Sequence, residues 1–184
     1  MPWHRSLVPV FLATGLAACL VVSGCGPSAE TQAYDLLISG MAKVDKCAYG
    51  EAIRDFTRSI ELKPDLSSAY YNRGVAYGKK GDHDRAIQDY TKAIELEPDF
   101  AEPYNNRGTV YARNSEYDRA IQDYTKAIEL KPDFAEARSN RAAAHYFRKA
   151  YDKAWADVKK CRQLGGTPSR KLIEQLTKDS GRSE

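Results

Sequence analysis

Three carboxamides, Asn72, Asn106 and Asn140, recur at an interval of 34 residues. A carboxamide donates and accepts hydrogen bonds at once, which suits a peptide backbone of any sequence. Three guanidiniums, Arg73, Arg107 and Arg141, follow them at the same interval, and four carboxylates, Asp55, Asp89, Asp123 and Asp157, repeat in step. Opposite charges in register predict ion pairs across packed helices. They can form within a unit (Arg73 with Asp89) or between units (Asp55 with Arg73), and both patterns use all three Arg. Cys25 is a thiol placed directly after the small residues Ser23 and Gly24, at the end of an apolar run. Other chemistry is sparse. Among the histidines only His83 and His145 lie beyond that run, each in a slot where another unit has Tyr117 or Tyr111. There is no Cys-His, Ser-His-Asp, metal-spaced or glycine-rich phosphate-binding constellation. No catalytic residue, metal, cofactor or small-molecule substrate is expected.

Composition narrows the class further. The chain has 184 residues, 28 Lys plus Arg against 25 Asp plus Glu, and a net charge of +3 with the signs interspersed. A nucleic-acid binder needs a clustered basic face, so none is expected. With 42% hydrophobic residues the chain is not a disordered tail, and four Cys are too few for a disulfide framework. Residues 25–134 carry net −4 and residues 135–184 net +6, with Lys159, Lys160, Arg162, Arg170 and Lys171 concentrated near the C-terminus. A solvated basic end is the simplest account of them.

Residues 1–24 differ in kind from the rest. Arg5 is their one charge, and Leu7 to Val22 is a nearly unbroken apolar stretch interrupted by Pro9 and Gly15. That is short of the ~20 residues needed to span a bilayer as a helix, and it reads as a signal peptide. Val22-Ser23-Gly24-Cys25 resembles a bacterial lipobox. The resemblance implies diacylglycerol on the Cys25 thiol, cleavage before Cys25 and acylation of the new amino terminus, and several acyl chains anchor far more firmly than one. Leu16-Ala17-Ala18-Cys19 is a competing site, disfavoured because Leu20-Val21-Val22 would then remain on the mature chain, whereas Gly26-Pro27-Ser28-Ala29-Glu30 is polar. Cleavage before Cys25 leaves 160 residues, with 25–32 as lipidated Cys and tether. Export implies an oxidising compartment. Cys47 and Cys161 fall at opposite ends of the repeat region, too far apart for the roughly 7 Å between Cα atoms that a disulfide needs, so both are expected free.

Self-similarity organises the rest. Residues 67–100 and 101–134 align without gaps at 21 of 34 positions and share the segment DRAIQDYTKAIEL at 84–96 and 118–130. Ala52, Ala86, Ala120 and Ala154 keep the register, as do Gly40, Gly74 and Gly108 with Ala142 in the fourth place, and Pro64, Pro98 and Pro132 close units. This period and these residue types resemble the tetratricopeptide repeat (TPR) family. The resemblance implies an all-α, right-handed helix-turn-helix solenoid of four units, 33–66, 67–100, 101–134 and 135–168. Residues 169–184 then form a capping helix and tail, with Leu172, Ile173 and Leu176 as its apolar stripe.

Within a unit, Tyr70, Gly74 and Tyr77 share one helix face, and Ala86, Tyr90 and Ala93 another. Nine of the twelve Tyr occupy repeated slots and are expected in the core: Tyr49, Tyr70, Tyr77, Tyr90, Tyr104, Tyr111, Tyr117, Tyr124 and Tyr151. Tyr34, Tyr71 and Tyr146 fall outside them. Asp99 with Glu102, and Asp133 with Glu136, read as capping boxes opening first helices.

In TPR proteins the first helices line a concave face, and the resemblance carries that role to Tyr71, Asn72, Asn105, Asn106, Thr109, Arg113, Asn140 and Tyr146, with Phe147 beside them. One Asn per unit would meet about every third residue of an extended peptide, since packed helices lie roughly 8–10 Å apart and a strand advances ~3.3 Å per residue. The clamp by which some TPR grooves hold a C-terminal carboxylate is not reproduced, because its Lys and Arg positions hold Tyr71, Glu136 and Asn140, or Leu37, Glu102 and Asn106. The expectation is an adaptor, not an enzyme, recruiting a protein or peptide partner through this groove in envelope assembly, secretion or turnover, lipid-anchored in the cell envelope. In a Gram-negative cell, the absence of Asp after Cys25 implies the periplasmic face of the outer membrane. The alternative is a structural or oligomeric element packing through its convex face or ends.

Overall fold

Each 34-residue unit buries two helix faces against one another, and the helix ends follow from local sequence. The structure, a computed structural model, describes residues 26–182, so Cys25 and the apolar run before it lie outside the described residues. Among the described residues there are nine helices and no strand: α1 (Ala29–Asp45), α2 (Tyr49–Leu62), α3 (Ser67–Lys80), α4 (His83–Leu96), α5 (Ala101–Arg113), α6 (Tyr117–Leu130), α7 (Ala135–Phe147), α8 (Tyr151–Gln163) and α9 (Arg170–Ser180). In α4, Ala86, Tyr90 and Ala93 are buried at helical spacing while Lys92 and Glu95 pair on the outer face. Pro98 follows two residues after Leu96 and stops the helix, as Pro64 and Pro132 do after α2 and α6. Consecutive helices pack antiparallel through short turns, and α1, α3, α5 and α7 also touch in series, whereas α2, α4, α6 and α8 do not touch one another. The odd-numbered helices therefore form the inner, concave layer of a solenoid.

A small residue facing a large one locks each pair. A Cβ built on Gly40, Gly74 or Gly108 would stand 2.4, 2.8 or 2.9 Å from the ring of Phe56, Tyr90 or Tyr124 respectively. In the fourth pair both members change together, Ala142 facing Val158, and both are buried.

The charge rows pair within the unit. Arg73 donates from Nε and Nη2 to both oxygens of Asp89 at 2.8 Å, and Arg107 with Asp123 and Arg141 with Asp157 repeat this fork. The third nitrogen of each guanidinium donates to a Thr of the preceding unit: Arg73 to Thr57, Arg107 to Thr91 and Arg141 to Thr125. Each Arg therefore ties three helices. In the first unit the seventh position is Ser39, and Lys43 supplies the cation, both donating to Asp55. Burial opposes the Asp55 charge, but these two hydrogen bonds outweigh it and hold its carboxyl below the usual range.

The fold departs from sequence expectation in three respects. Only Tyr90 and Tyr124 of the nine repeat-slot tyrosines are fully buried. Others lie half-buried over the ion pairs, with the Arg73 guanidinium 5.6 Å from the Tyr70 ring and Arg107 5.8 Å from Tyr104, so they cover charge as cation–π partners rather than fill the core. The capping boxes do not form: α5 and α7 start one residue after Phe100 and Phe134, which make no side-chain cap. Glu102 pairs instead with Lys131, and Glu136 accepts from Asn105. Finally, α1 begins at Ala29, with Ser28 capping Thr31 N–H, so helix replaces most of the extended stretch expected at 26–32.

Cys161 is buried and Cys47 exposed, and both are free. Leu172 and Leu176 of α9 pack on Ala142, Ala154 and Val158 and close the last pair.

Two outcomes are expected from this packing. Gly108→Ala lowers stability by about 1–3 kcal/mol through overpacking, even though Ala has the better helix propensity. Adding Tyr124→Val recovers part of the loss by reproducing the Ala142–Val158 pairing, and urea unfolding followed by circular dichroism reads both. In the same assay Arg107→Leu costs about 3 kcal/mol by stranding the Asp123 charge, while Arg107→Leu with Asp123→Leu is close to neutral.

Candidate binding groove

The inner faces of α3, α5 and α7 bring the three carboxamides into one row, but not as independent groups. Asn72 turns back to the Ser68 carbonyl on its own helix at 2.7 Å. Asn106 donates to the Tyr71 hydroxyl at 3.3 Å, and Asn140 donates to the Asn105 side-chain oxygen at 3.0 Å. Asn105 in turn donates to Asn106 and to Glu136, both at 3.3 Å. A relay therefore runs from Asn140 of α7 through Asn105 and Asn106 of α5 to the Tyr71 hydroxyl of α3, and Asn72 stands outside it.

This corrects the part assigned to Asn105. It is 1% exposed, and its two N–H groups and its oxygen are all engaged within the protein. It positions Asn106, Asn140 and Glu136 and has no surface to offer a partner. The position repeats the Tyr71 slot, so sequence register alone gave no warning of its burial. Asn72, Asn106 and Asn140 are half-buried, and Asn106 is the most engaged of them, bonded to Tyr71, Tyr90 and Asn105.

The two aromatics of the groove are also half-buried. Tyr71 packs against Phe100 at 5.0 Å and Tyr90 at 6.1 Å, and burial pushes its phenol above the ordinary range. Tyr146 donates to Asp179 of α9 at 2.7 Å, so it joins the last pair to the cap. Phe147 beside it is 56% exposed and stacks on Tyr117 at 4.9 Å.

Between α3 and α5 the surface opens into a pocket of about 210 Å³. Asn106, Thr109 and Arg113 line it, with Val75, Val110 and the edge of Tyr90 as apolar floor and Lys79 on the far rim. Thr109 is held by two bonds, donating to the Asn105 carbonyl and accepting from Tyr124, whose own phenol burial pushes up to about 12. Lys79 was not singled out from sequence, and the signal for it was its register with Arg113. The site has a fixed polar rim with a basic edge, which can hold a backbone amide or a carboxylate.

A stack of antiparallel helix pairs with one shared inner layer defines a helical-repeat solenoid. Residues 67–100 and 101–134 each match the model of the tetratricopeptide repeat, and residues 42–81 match a second model described as TPR repeat. Together these matches cover about half of the sequence, and the chain belongs to the tetratricopeptide repeat family. It is similar to human tetratricopeptide repeat protein 13, 52% identical over 52 residues, which is 28% of this chain but 5% of that protein. The crystal structure of MamA superposes with a TM-score of 0.69 at 28% identity, over 72% of this chain and 78% of that one. The second TPR domain of human RPAP3, solved by NMR in complex with the HSP70 peptide SGPTIEEVD, superposes with a TM-score of 0.61 at 25% identity, over 64% of this chain and 98% of that one.

Asn105→Ala is expected to cost about 1–3 kcal/mol by leaving buried partners of the relay unpaired, a loss measurable by urea unfolding.

Proposed function

We propose that this chain is a lipid-anchored adaptor that holds an extended segment of a partner protein in its concave groove, in assembly, secretion or turnover of the cell envelope. The observation that carries the reading is the pocket between α3 and α5, lined by Asn106, Thr109 and Arg113 with Lys79 opposite. A superposable TPR domain carries a bound peptide, and binding rather than catalysis is what such a rim can do. The amide row offers hydrogen bonds that any peptide backbone can use.

The anchor is Cys25, and with α1 starting at Ala29 only residues 26–28 separate it from the first helix. Three residues reach at most ~11 Å, so the groove works against the membrane surface. In a Gram-negative cell that surface is the periplasmic face of the outer membrane.

The test is a photo-crosslinking residue at Thr109 in living cells, with and without Asn72→Ala, Asn106→Ala and Asn140→Ala together. Capture of a discrete partner should fall about tenfold in the triple variant, as expected for losing about 1.4 kcal/mol of hydrogen bonding, while its helicity stays intact. Unchanged capture rules out the amide row. Cys25→Ser should release the chain from the membrane fraction.

A further inference from the structure

Antiparallel packing gives the solenoid two edges made of helix ends. The N-termini of α1, α3, α5, α7 and α9 share one edge with the C-termini of α2, α4, α6 and α8. Along it Glu30 of α1 reaches Lys63 just beyond α2, and Glu102 of α5 reaches Lys131 beyond α6. Gly166, between α8 and α9, lies against Ala135 at the start of α7. Cys25 stands four residues before Ala29, so the lipid anchor proposed above belongs to one end of this edge.

Charge on the edge is uneven. Residues 57–71, 91–105 and 125–139, which round the edge in successive units, carry net 0, −3 and 0, whereas residues 159–173 carry +5 with no carboxylate. Ending a solenoid in water explains part of this. Arg162 stands where earlier units have Ile60, Ile94 and Ile128, and Lys159 stands where Thr57, Thr91 and Thr125 receive an Arg from the next unit. Both are positions that a further unit would cover. The outer face needs another account. There Arg58 with Glu61, Lys92 with Glu95 and Lys126 with Glu129 pair three residues apart, but in the fourth unit Lys160 keeps the cation while Gln163 replaces the carboxylate. The turn loses its acid as well, Asp65, Asp99 and Asp133 giving way to Thr167. Lys159, Lys160 and Lys171 are exposed and join no ion pair among the described residues. Arg170, 94% exposed, pairs with Glu174 on its own helix.

We propose that this basic end docks on anionic phospholipid head groups of the membrane that holds Cys25, so that the chain is attached at both ends of one edge. The proposal rests on the lipid anchor. Inner helices packed roughly 8–10 Å apart put the patch about 30–40 Å along the edge from the anchor. The anchor keeps the bilayer within reach, and each Lys or Arg held within a Debye length of an anionic surface is worth about a fivefold gain. The acidic segment 91–105 lies between the two attachments and opposes contact there, so the far end docks rather than the whole edge. With helix ends against the membrane, the helices stand upright on it and the groove opens sideways along its surface.

The experiment uses the processed, lipidated chain in vesicles of phosphatidylcholine with and without phosphatidylglycerol. A bimane label on Ser169→Cys, in a Cys47→Ser background, reads contact through quenching by a spin-labelled head group. Ser169 makes no side-chain cap to α9, so the label removes no bond there. The same label on Ser115→Cys reads the opposite edge. Quenching at position 169 should require phosphatidylglycerol and vanish at high salt, and position 115 should stay unquenched. Lys159→Gln with Lys160→Gln and Lys171→Gln should lower the docked-to-undocked ratio about a hundredfold, and Arg at the same three positions should preserve it. All three residues are exposed, so the variants are expected to fold, with circular dichroism as the check.

Quenching at position 169 that ignores phosphatidylglycerol, or survives the three Gln, overturns the proposal and leaves a solvated end. Binding of soluble inorganic polyphosphate without any dependence on the lipid assigns the patch to a free polyanion and overturns it equally. Mass spectrometry of the chain taken from cells separates this proposal from the anchor. A chain with no lipid on Cys25 removes both, whereas a lipidated chain indifferent to phosphatidylglycerol keeps the anchor and loses the basic contact alone.

Discussion

The structure depends on how closely two helices of a unit approach. Where the first helix carries Gly40, Gly74 or Gly108, a ring from the second helix lies where a Cβ would be. Close approach removes apolar surface from water within each small pair, which matters in a solenoid that lacks a central core. The Ala142–Val158 pair shows that the constraint concerns combined size rather than glycine itself. Because Tyr90 and Tyr124 are the residues seated this way, the constraint also reaches the groove. Tyr90 lines the pocket between α3 and α5, and Tyr124 donates to Thr109 on its rim.

The forked ion pairs act at right angles to this. Each Arg of α3, α5 and α7 holds its own second helix through an Asp and the preceding second helix through a Thr. The neighbouring carboxylates hold the Arg73 and Arg107 guanidiniums more firmly charged than usual, the hydrogen bond to Asp being the main cause. Half-buried pairs of this kind add little net stability, but they penalise any unit that slips in register, because a slip strands several charges together. Register along the solenoid is what keeps Asn72, Asn106 and Asn140 in one row.

Periodicity made the fold legible, since helix ends, small residues and closing prolines all repeat at 34. Failures came where one residue type serves two purposes. Asp99 and Glu102 have the types and spacing of a capping box, yet Glu102 lies opposite Lys131 of the next turn and pairs there. Tyr in a repeated slot suggested burial, yet half-burial over a guanidinium uses the same amphipathic ring. Asn105 occupies a groove position by register but is drawn inward, since Asn140 and Glu136 reach it from the next helix. Contacts made only in the packed helices decide such cases, and a linear sequence does not contain them. The charge rows illustrate the same limit, for two pairings fitted the spacing and only the packed geometry chose one.

A last asymmetry bears on function. Units 2 and 3 are near-copies, and α4 and α6 are identical along them except at His83 and Tyr117. Their first helices are not. Between α3 and α5, Tyr71 becomes Asn105, Val75 becomes Thr109 and Lys79 becomes Arg113, while Asn72, Arg73, Gly74 and Tyr77 recur as Asn106, Arg107, Gly108 and Tyr111. What repeats on the inner layer is what packing and ion pairing need, together with the amide. What varies lines or supports the pocket, and α1 takes the variation further with Tyr34, Ile38 and Met41. The frame is thus held constant by packing and ion pairing, and the variation is confined to the inner-layer positions that those two demands leave unconstrained.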